Sequence, residues 1–127
     1  MHAGDAFTSS QRHEIDKAIR DAETVCRYEF SVFVGASEGE THRFAQRLHS
    51  ALTAPDRSVL LMVDPAARIV EIVTGAAVRR DLDDAEVKLA ALTMQTAFAA
   101  GDLVGGIKQG VHMLADHARR PRMLHAE

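Results

Sequence analysis

The densest group of residues able to bind a metal lies between positions 81 and 86. Asp81, Asp83, Asp84 and Glu86 place their carboxylates within a few positions of one another, and carboxylate oxygens are the ligands that Ca²⁺ and Mg²⁺ require. The spacing lacks the pattern of an EF-hand loop, and Asp83 or Asp84 would serve equally well as a helix N-cap. Both interpretations stay open, with Asp81, Asp83 and Asp84 as the candidate ligands of Ca²⁺ or Mg²⁺.

A second candidate is the loop 35–39, which reads Gly-Ala-Ser-Glu-Gly and matches the G-x-S-x-G pattern of a nucleophile elbow. A triad in the order serine, aspartate, histidine is formally available through Ser37, Asp64 and either His112 or His117. The second glycine of the pattern, however, stands where the first turn of the helix after a nucleophile would form. An ordinary connecting loop is therefore favoured, and no catalytic residue is assigned.

The same loop could also be considered as a phosphate cradle. A P-loop has lysine followed by serine or threonine after its last glycine, whereas Glu40 and Thr41 stand there in this chain. The extra negative charge opposes a phosphate, so no nucleotide is expected.

The overall charge also excludes classes of partner. The chain has 15 basic and 18 acidic residues mixed along its length, with a formal net charge of -3, which gives no positive field to attract nucleic acid. No apolar run is long enough to span a bilayer, and the first ten residues lack the regions of a signal peptide. As written, the sequence predicts a cytoplasmic chain without a membrane segment, and a removed signal or anchor stays open.

Length and composition predict a single domain. A chain of 127 residues with 46% hydrophobic residues can bury one core and is too short for two. We expect this domain to cover residues 1–118. A basic, flexible tail over residues 119–127 should follow, with Arg119, Arg120 and Arg122 clustered in it.

Strand signals occur in three places. The segment Phe30–Val34 is aromatic and β-branched, whereas Val59–Val63 is apolar without alternation, as expected of a central strand covered on both faces. A short turn over Asp64–Arg68 then leads to Ile69–Val73, which should pair antiparallel to the central strand.

Helical periodicity of apolar residues marks four further segments. The third of these is apolar on more than one face and is expected to be largely buried. The four run from a cap at Ser9 or Ser10 to about Cys26, from Glu40 or Thr41 to shortly before Pro55, from Asp83 or Asp84 to Gly101, and onward from a cap at Asp102.

The element order predicts a small, three-layer-like α/β domain. Its short mixed β-sheet combines a βαβ unit with a β-hairpin and is flanked by about four helices. In a hairpin the end of one strand lies near the start of the other, so Asp81 to Asp84 should approach Asp56. Ser37, Asp64 and Asp102 form the other candidate loop site and should lie at the opposite end of the sheet.

An ordered series of motifs covers Ser58 to Leu114. The apolar central strand is followed by a strand ending at Gly75, and Asp84 stands nine positions later in an acidic segment. The segment Phe98–Gly106 then reads Phe-Ala-Ala-Gly-Asp-Leu-Val-Gly-Gly. This series resembles the TPM domain family of thylakoid-lumen phosphatase-like, photosystem-repair and bacterial proteins, including actinobacterial members of unknown function.

The resemblance implies the same fold and an acidic cleft that takes divalent cations in some members. We therefore expect a TPM-like binding domain without robust catalysis, with Ca²⁺ or Mg²⁺ held by the acidic loop. A metal-dependent phosphatase is one alternative, so the question of enzymatic activity stays open. A module that binds an unidentified protein through the last helix and the basic tail is the other.

Overall fold

A computed structural model describes residues 7–119 and consists of four α-helices and a three-stranded sheet. Short 3₁₀ turns lie at Pro55–Arg57 and Val78–Arg80. In chain order, the elements are α1 (Ser9–Cys26), β1 (Glu29–Val34), α2 (Thr41–Ser50), β2 (Ser58–Asp64), β3 (Ile69–Thr74), α3 (Asp84–Ala99) and α4 (Leu103–Ala118).

The sheet has the order β1-β2-β3, with β2 in the centre. Strand β1 runs parallel to β2, with Phe30 opposite Val59, and α2 forms the crossover between them. Strand β3 returns antiparallel to β2, with Leu61 opposite Ile72. The predicted mixed sheet, built from a βαβ unit and a hairpin, is thereby confirmed.

The core lies on both faces of β2, because side chains alternate between the faces of a strand. Val59, Leu61 and Val63 belong to the larger core cluster, which also includes buried residues of α1, α3 and α4. Leu60 and Met62 pack with residues of α2 in a second cluster on the other face. Helices on both faces of the sheet give the domain its three layers.

Helix α3 is less buried than its apolar composition predicts. Only Ala90 and Met94 are buried along it, while Leu89 is 50% and Leu92 60% exposed. The helix packs mainly against α4 and more weakly against β3, so one of its apolar faces has no element over it in the described part of the chain. The expectation that α3 would be largely buried is wrong.

Helix starts agree with the sequence at three of the four sites, among them α2, which Glu40 caps. Asp83 caps α3 and Asp102 caps α4, as the sequence predicts. For α1, however, the cap is Thr8 and not Ser9 or Ser10, because its side chain and that of Gln11 form a reciprocal capping box. Within residues 7–119, no helix has the length and apolar character needed to cross a bilayer.

Gly75 marks the point where β3 leaves the sheet. Its N–H donates to the carbonyl oxygen of Ser58 at 3.0 Å. A Cβ at this position would overlap the carbonyl oxygens of Pro55 and Asp56. The close approach of these two backbone segments therefore requires a residue without a side chain.

We predict that Gly75→Ala lowers the free energy of unfolding by at least about 2 kcal/mol, because the added methyl meets rigid backbone that cannot move aside cheaply. Urea denaturation followed by circular dichroism measures the change. Ala76→Ser, at the exposed neighbouring position, is the control and should be nearly neutral. Equal midpoints for both variants would contradict the packing argument.

Candidate functional site

The parallel strands β1 and β2 have their carboxyl ends at the same end of the sheet, where the side chain of Asp64 joins the loops that follow them. The carboxylate of Asp64 accepts a hydrogen bond from the backbone N–H of Ser37 at 3.2 Å and another from that of Ala67 at 3.2 Å. Asp64 is only 6% exposed. This side chain therefore fixes the loop after β1 against the hairpin turn.

A cleft of about 530 Å³ opens beside Asp64. It lies between the hairpin turn and the junction of α3 with α4. Its lining is mostly apolar, with a carboxylate, a guanidinium and an amide as its polar side-chain groups. The lining residues are Asp64, Pro65, Arg68, Ile69, Gln95, Phe98, Ala99, Gly101 and Leu103.

The structure places all three residues of the candidate loop site at this end of the domain. Asp64 lines the cleft, and the backbone N–H of Ser37 donates a hydrogen bond to the Asp64 side chain. Asp102 lies between two lining residues, Gly101 and Leu103, but its carboxylate accepts a hydrogen bond from the N–H of Gly105 at 2.8 Å as the cap of α4. Asp64 is thus the one of the three that lines the cleft.

The formal triad does not assemble. The hydroxyl of Ser37 lies 3.4 Å from that of Thr41, whereas Asp64 receives only the backbone N–H of Ser37. Nδ1 of His117, in the last turn of α4, lies 3.0 Å from Glu86, at the other end of that helix from Ser37 and Asp64. His112 is exposed in the second half of the same helix, about 13 Å along it from Leu103 in the cleft. The loop 35–39 therefore has the contacts of a structural connector.

The N-terminus of α2 already holds a carboxylate of the chain itself. The side chain of Glu40 accepts hydrogen bonds from the backbone N–H groups of His42 at 2.7 Å and Arg43 at 3.2 Å. The hydrogen bond from His42 is the main reason why the pKa of Glu40 lies below its usual value. Glu40 thus occupies the position that a phosphate would take at a helix N-terminus.

The residues predicted as metal ligands make other contacts. Asp81 accepts a hydrogen bond from the hydroxyl of Tyr28, which also contacts the carbonyl oxygen of Ala77. Asp83 caps α3 by accepting from the N–H of Glu86 at 2.9 Å, while the Glu86 side chain accepts from the N–H of Asp83 at 3.0 Å. Asp84 is exposed in the first turn. Within residues 7–119, no three Asp, Glu, His or Cys residues are grouped as a metal site requires.

The acidic residues and the cleft occupy opposite ends of the domain. The N–H of Ala77 donates to the carbonyl oxygen of Asp56 at 3.0 Å, which brings the segment after β3 beside the start of β2. Helix α3 begins at Asp84 and ends at Ala99 in the cleft, and 16 residues of helix span about 24 Å.

Three polar or aromatic residues of the cleft were not among the candidates from sequence: Arg68, Gln95 and Phe98. Arg68 carried one local signal in the sequence, its place at the end of the predicted hairpin turn. In the structure its φ is +59°, a conformation for which glycine is the usual residue. Gln95 and Phe98 carried none, since only the packing of α3 beside the turn brings them to Asp64.

The family model for a domain of unknown function, DUF5130, matches residues 2–115, which is most of the chain. This chain belongs to the DUF5130 family. The resemblance to the TPM domain family is therefore wrong. It rested on the apolar strand Val59–Val63, on Gly75, on the acidic segment near Asp84 and on the segment Phe98–Gly106. The structure explains these by burial of the central strand, by close backbone packing at Gly75, and by the capping of α3 and α4.

Relatives of this DUF5130 domain include the uncharacterized proteins MT2543 and Rv2468c of two Mycobacterium tuberculosis strains. Each is 27% identical over 101 residues, which is 80% of this chain. The chain spans only 60% of the length of these relatives.

Solved structures share the fold of this DUF5130 domain at low sequence identity. The BA42 protein of Bizionia argentinensis has a TM-score of 0.81 at 20% identity, covering 91% of this chain and 83% of that one. The N-terminal domain of the cg2496 protein of Corynebacterium glutamicum has a TM-score of 0.74 at 18% identity, covering 88% and 74%. At this level of identity the likeness concerns the fold alone.

We predict that Asp83→Ala lowers the free energy of unfolding by about 1 kcal/mol, because the N–H of Glu86 loses its capping acceptor. Thermal and urea denaturation measure the loss. Asp84→Ala is the matched control, since that carboxylate is exposed and lies outside the capping box. A larger loss for Asp84→Ala than for Asp83→Ala would refute the capping role.

Proposed function

We propose that this domain is a non-catalytic binding module whose ligand is a small organic molecule held in the cleft beside Asp64. In open α/β sheets, ligands bind outside the carboxyl ends of parallel strands. Strands β1 and β2 are the parallel pair here, and the cleft lies where β2 ends. The volume of about 530 Å³ lies within the usual range of small-molecule sites.

The lining indicates the chemistry of the ligand. Ile69, Phe98 and Leu103 offer apolar surface for the body of a small molecule. Each oxygen of Asp64 accepts one backbone N–H and retains a lone pair, so it can accept an N–H or O–H of the ligand. Arg68 can bind an acceptor or an anionic group of the same molecule.

Absence of an assembled triad favours binding over catalysis. The hydroxyl of Ser37 contacts Thr41, and neither Asp64 nor His117 is placed to activate it. The position of Asp64 at the carboxyl end of β2 is the observation that carries the proposal. Its side chain is buried, yet the residue lines an open cleft, and each of its oxygens keeps a lone pair beyond the backbone N–H that it accepts.

We predict that arylalkylamines such as phenethylamine bind this cleft and that Ala99→Trp abolishes their binding. Ala99 is an exposed residue of the lining, so a bulky side chain there should fill the space without disrupting the core. Titration of a ¹⁵N-labelled chain with phenethylamine and with phenylacetate, followed by amide chemical shifts, measures binding. Shifts should concentrate at residues 64–69 and 95–103.

Ala100→Trp is the control, because Ala100 is also exposed but lies outside the lining. It should leave the affinity within about twofold. Shifts that occur elsewhere on the domain, or binding that survives Ala99→Trp unchanged, would refute the cleft as the site.

The cation hypothesis for Asp81, Asp83 and Asp84 stays a prediction to be tested separately. Titration with Ca²⁺ and Mg²⁺ up to millimolar concentration should shift the amides of residues 81–86 if these carboxylates bind the ion. No shift there would refute it, and with it the metal-dependent phosphatase, which needs the ion to polarise a phosphoryl oxygen.

The alternative of an interaction module depends on the last helix and on the basic tail. Arg119 is the only arginine of that tail within the described residues; Arg120 and Arg122 lie outside them. Loss of a co-purifying partner after truncation at Asp116 would favour this alternative.

A further inference from the structure

The outer edge of β3 presents backbone groups that point away from the sheet. The N–H of Gly75 bonds to the carbonyl oxygen of Ser58 across the β2-β3 ladder. In an antiparallel pair, residues alternate between bonding across the ladder and pointing outward. Counting back from Gly75, the outward residues of β3 are Thr74, Ile72 and Val70.

Two outward backbone groups at the edges of the sheet already form hydrogen bonds with side chains. The guanidinium of Arg79 donates to the carbonyl oxygen of Thr74 at the end of β3. On the opposite edge, the carboxylate of Glu23 accepts from the N–H of Phe30 in β1 at 3.0 Å. Within residues 7–119, no hydrogen bond satisfies the outward groups of Val70 and Ile72.

The sequence of β3 does not protect this edge. It reads Ile-Val-Glu-Ile-Val-Thr, so all but one of its residues are β-branched and favour extended backbone. Natural edge strands carry charged residues, proline or a bulge that discourage another strand from pairing with them. Strand β3 has only one such feature, the charge of Glu71. Helices α2 and α3 contact the strand and hold it in place.

We propose that this edge accepts an extended segment of another protein, which adds to the sheet antiparallel to β3 and places a lysine or arginine opposite Glu71. The N–H and C=O groups of Val70 and Ile72 would bond to the incoming backbone, as in other cases of β-augmentation.

Glu71 selects the charge of the partner. Its side chain is 28% exposed and lies 3.2 Å from Nδ1 of His42. Between two residues that bond to the new strand, Glu71 would occupy a non-hydrogen-bonded pair, in which facing side chains are closest. An opposite charge at that position is favourable and a like charge is unfavourable.

The same residue argues against a second copy of this chain as the occupant. The symmetric register that uses the outward groups of both Val70 and Ile72 pairs each with the other residue of the second copy. This register places Glu71 directly opposite its own counterpart. Shifting toward Thr74 would bring the second copy against the Arg79 side chain, whose guanidinium already bonds to the outward carbonyl oxygen of Thr74.

The test uses two seven-residue peptides with blocked ends, built of alternating threonine and valine, one with lysine and one with glutamate at the fourth position. Each is titrated into the ¹⁵N-labelled chain. The lysine peptide should shift the amides of Val70 and Ile72 and bind about fivefold more tightly than the glutamate peptide. Methylating its backbone nitrogens should abolish binding.

Glu71→Lys should reverse the preference between the peptides. Glu71→Gln should remove this preference, and it serves as the test variant if the lysine variant folds poorly. Glu38→Lys makes the same charge change at an exposed site away from β3 and should preserve the original preference. The proposal would be overturned by equal binding of both peptides, by no shift at Val70 and Ile72 at millimolar peptide, or by concentration-dependent dimerisation through these amides.

Discussion

Complete burial of β2 is the constraint that organises the domain. From Val59 to Val63, each residue is at most 2% exposed, so both faces of the strand need a helix layer and both edges need a neighbouring strand. The parallel neighbour is reached through α2 and the antiparallel neighbour through a tight hairpin turn. The connection from α2 reaches the start of β2, at the end of the domain that is rich in acidic residues. The hairpin turn follows the end of β2, where the cleft lies.

Most of the architecture could be predicted from sequence, because its signals are local. The absence of alternation in Val59–Val63 identified the central strand, and capping residues such as Asp83 and Asp102 marked helix starts correctly. The exposure of α3 could not be predicted, since an apolar residue such as Leu92 does not reveal whether another element lies over it. The cleft could be predicted only in part. Asp64 follows a strand end, whereas Gln95 and Phe98 reach it through tertiary packing.

Asp64 connects the stability of the domain with its proposed binding role. Its two oxygens fix the loop after β1 and the hairpin turn through backbone N–H groups, and the residue also lines the cleft. Arg68, in the same turn, adopts a left-handed conformation that is unfavourable for a residue with a side chain. The turn therefore combines a structural carboxylate with a cation held in a strained position, and strain of this kind is often found at binding sites.

Tyr28 gives the domain a built-in optical reporter. The chain has one tyrosine and no tryptophan, so tyrosine emission comes from this residue alone. Its ring is buried beneath the guanidinium of Arg57 at 4.9 Å, and its hydroxyl bonds to Asp81. A carboxylate acceptor quenches phenol fluorescence, so the emission of Tyr28 should increase when its hydrogen bond to Asp81 breaks. Ligand binding in the cleft, at the other end of the domain, should leave the emission unchanged.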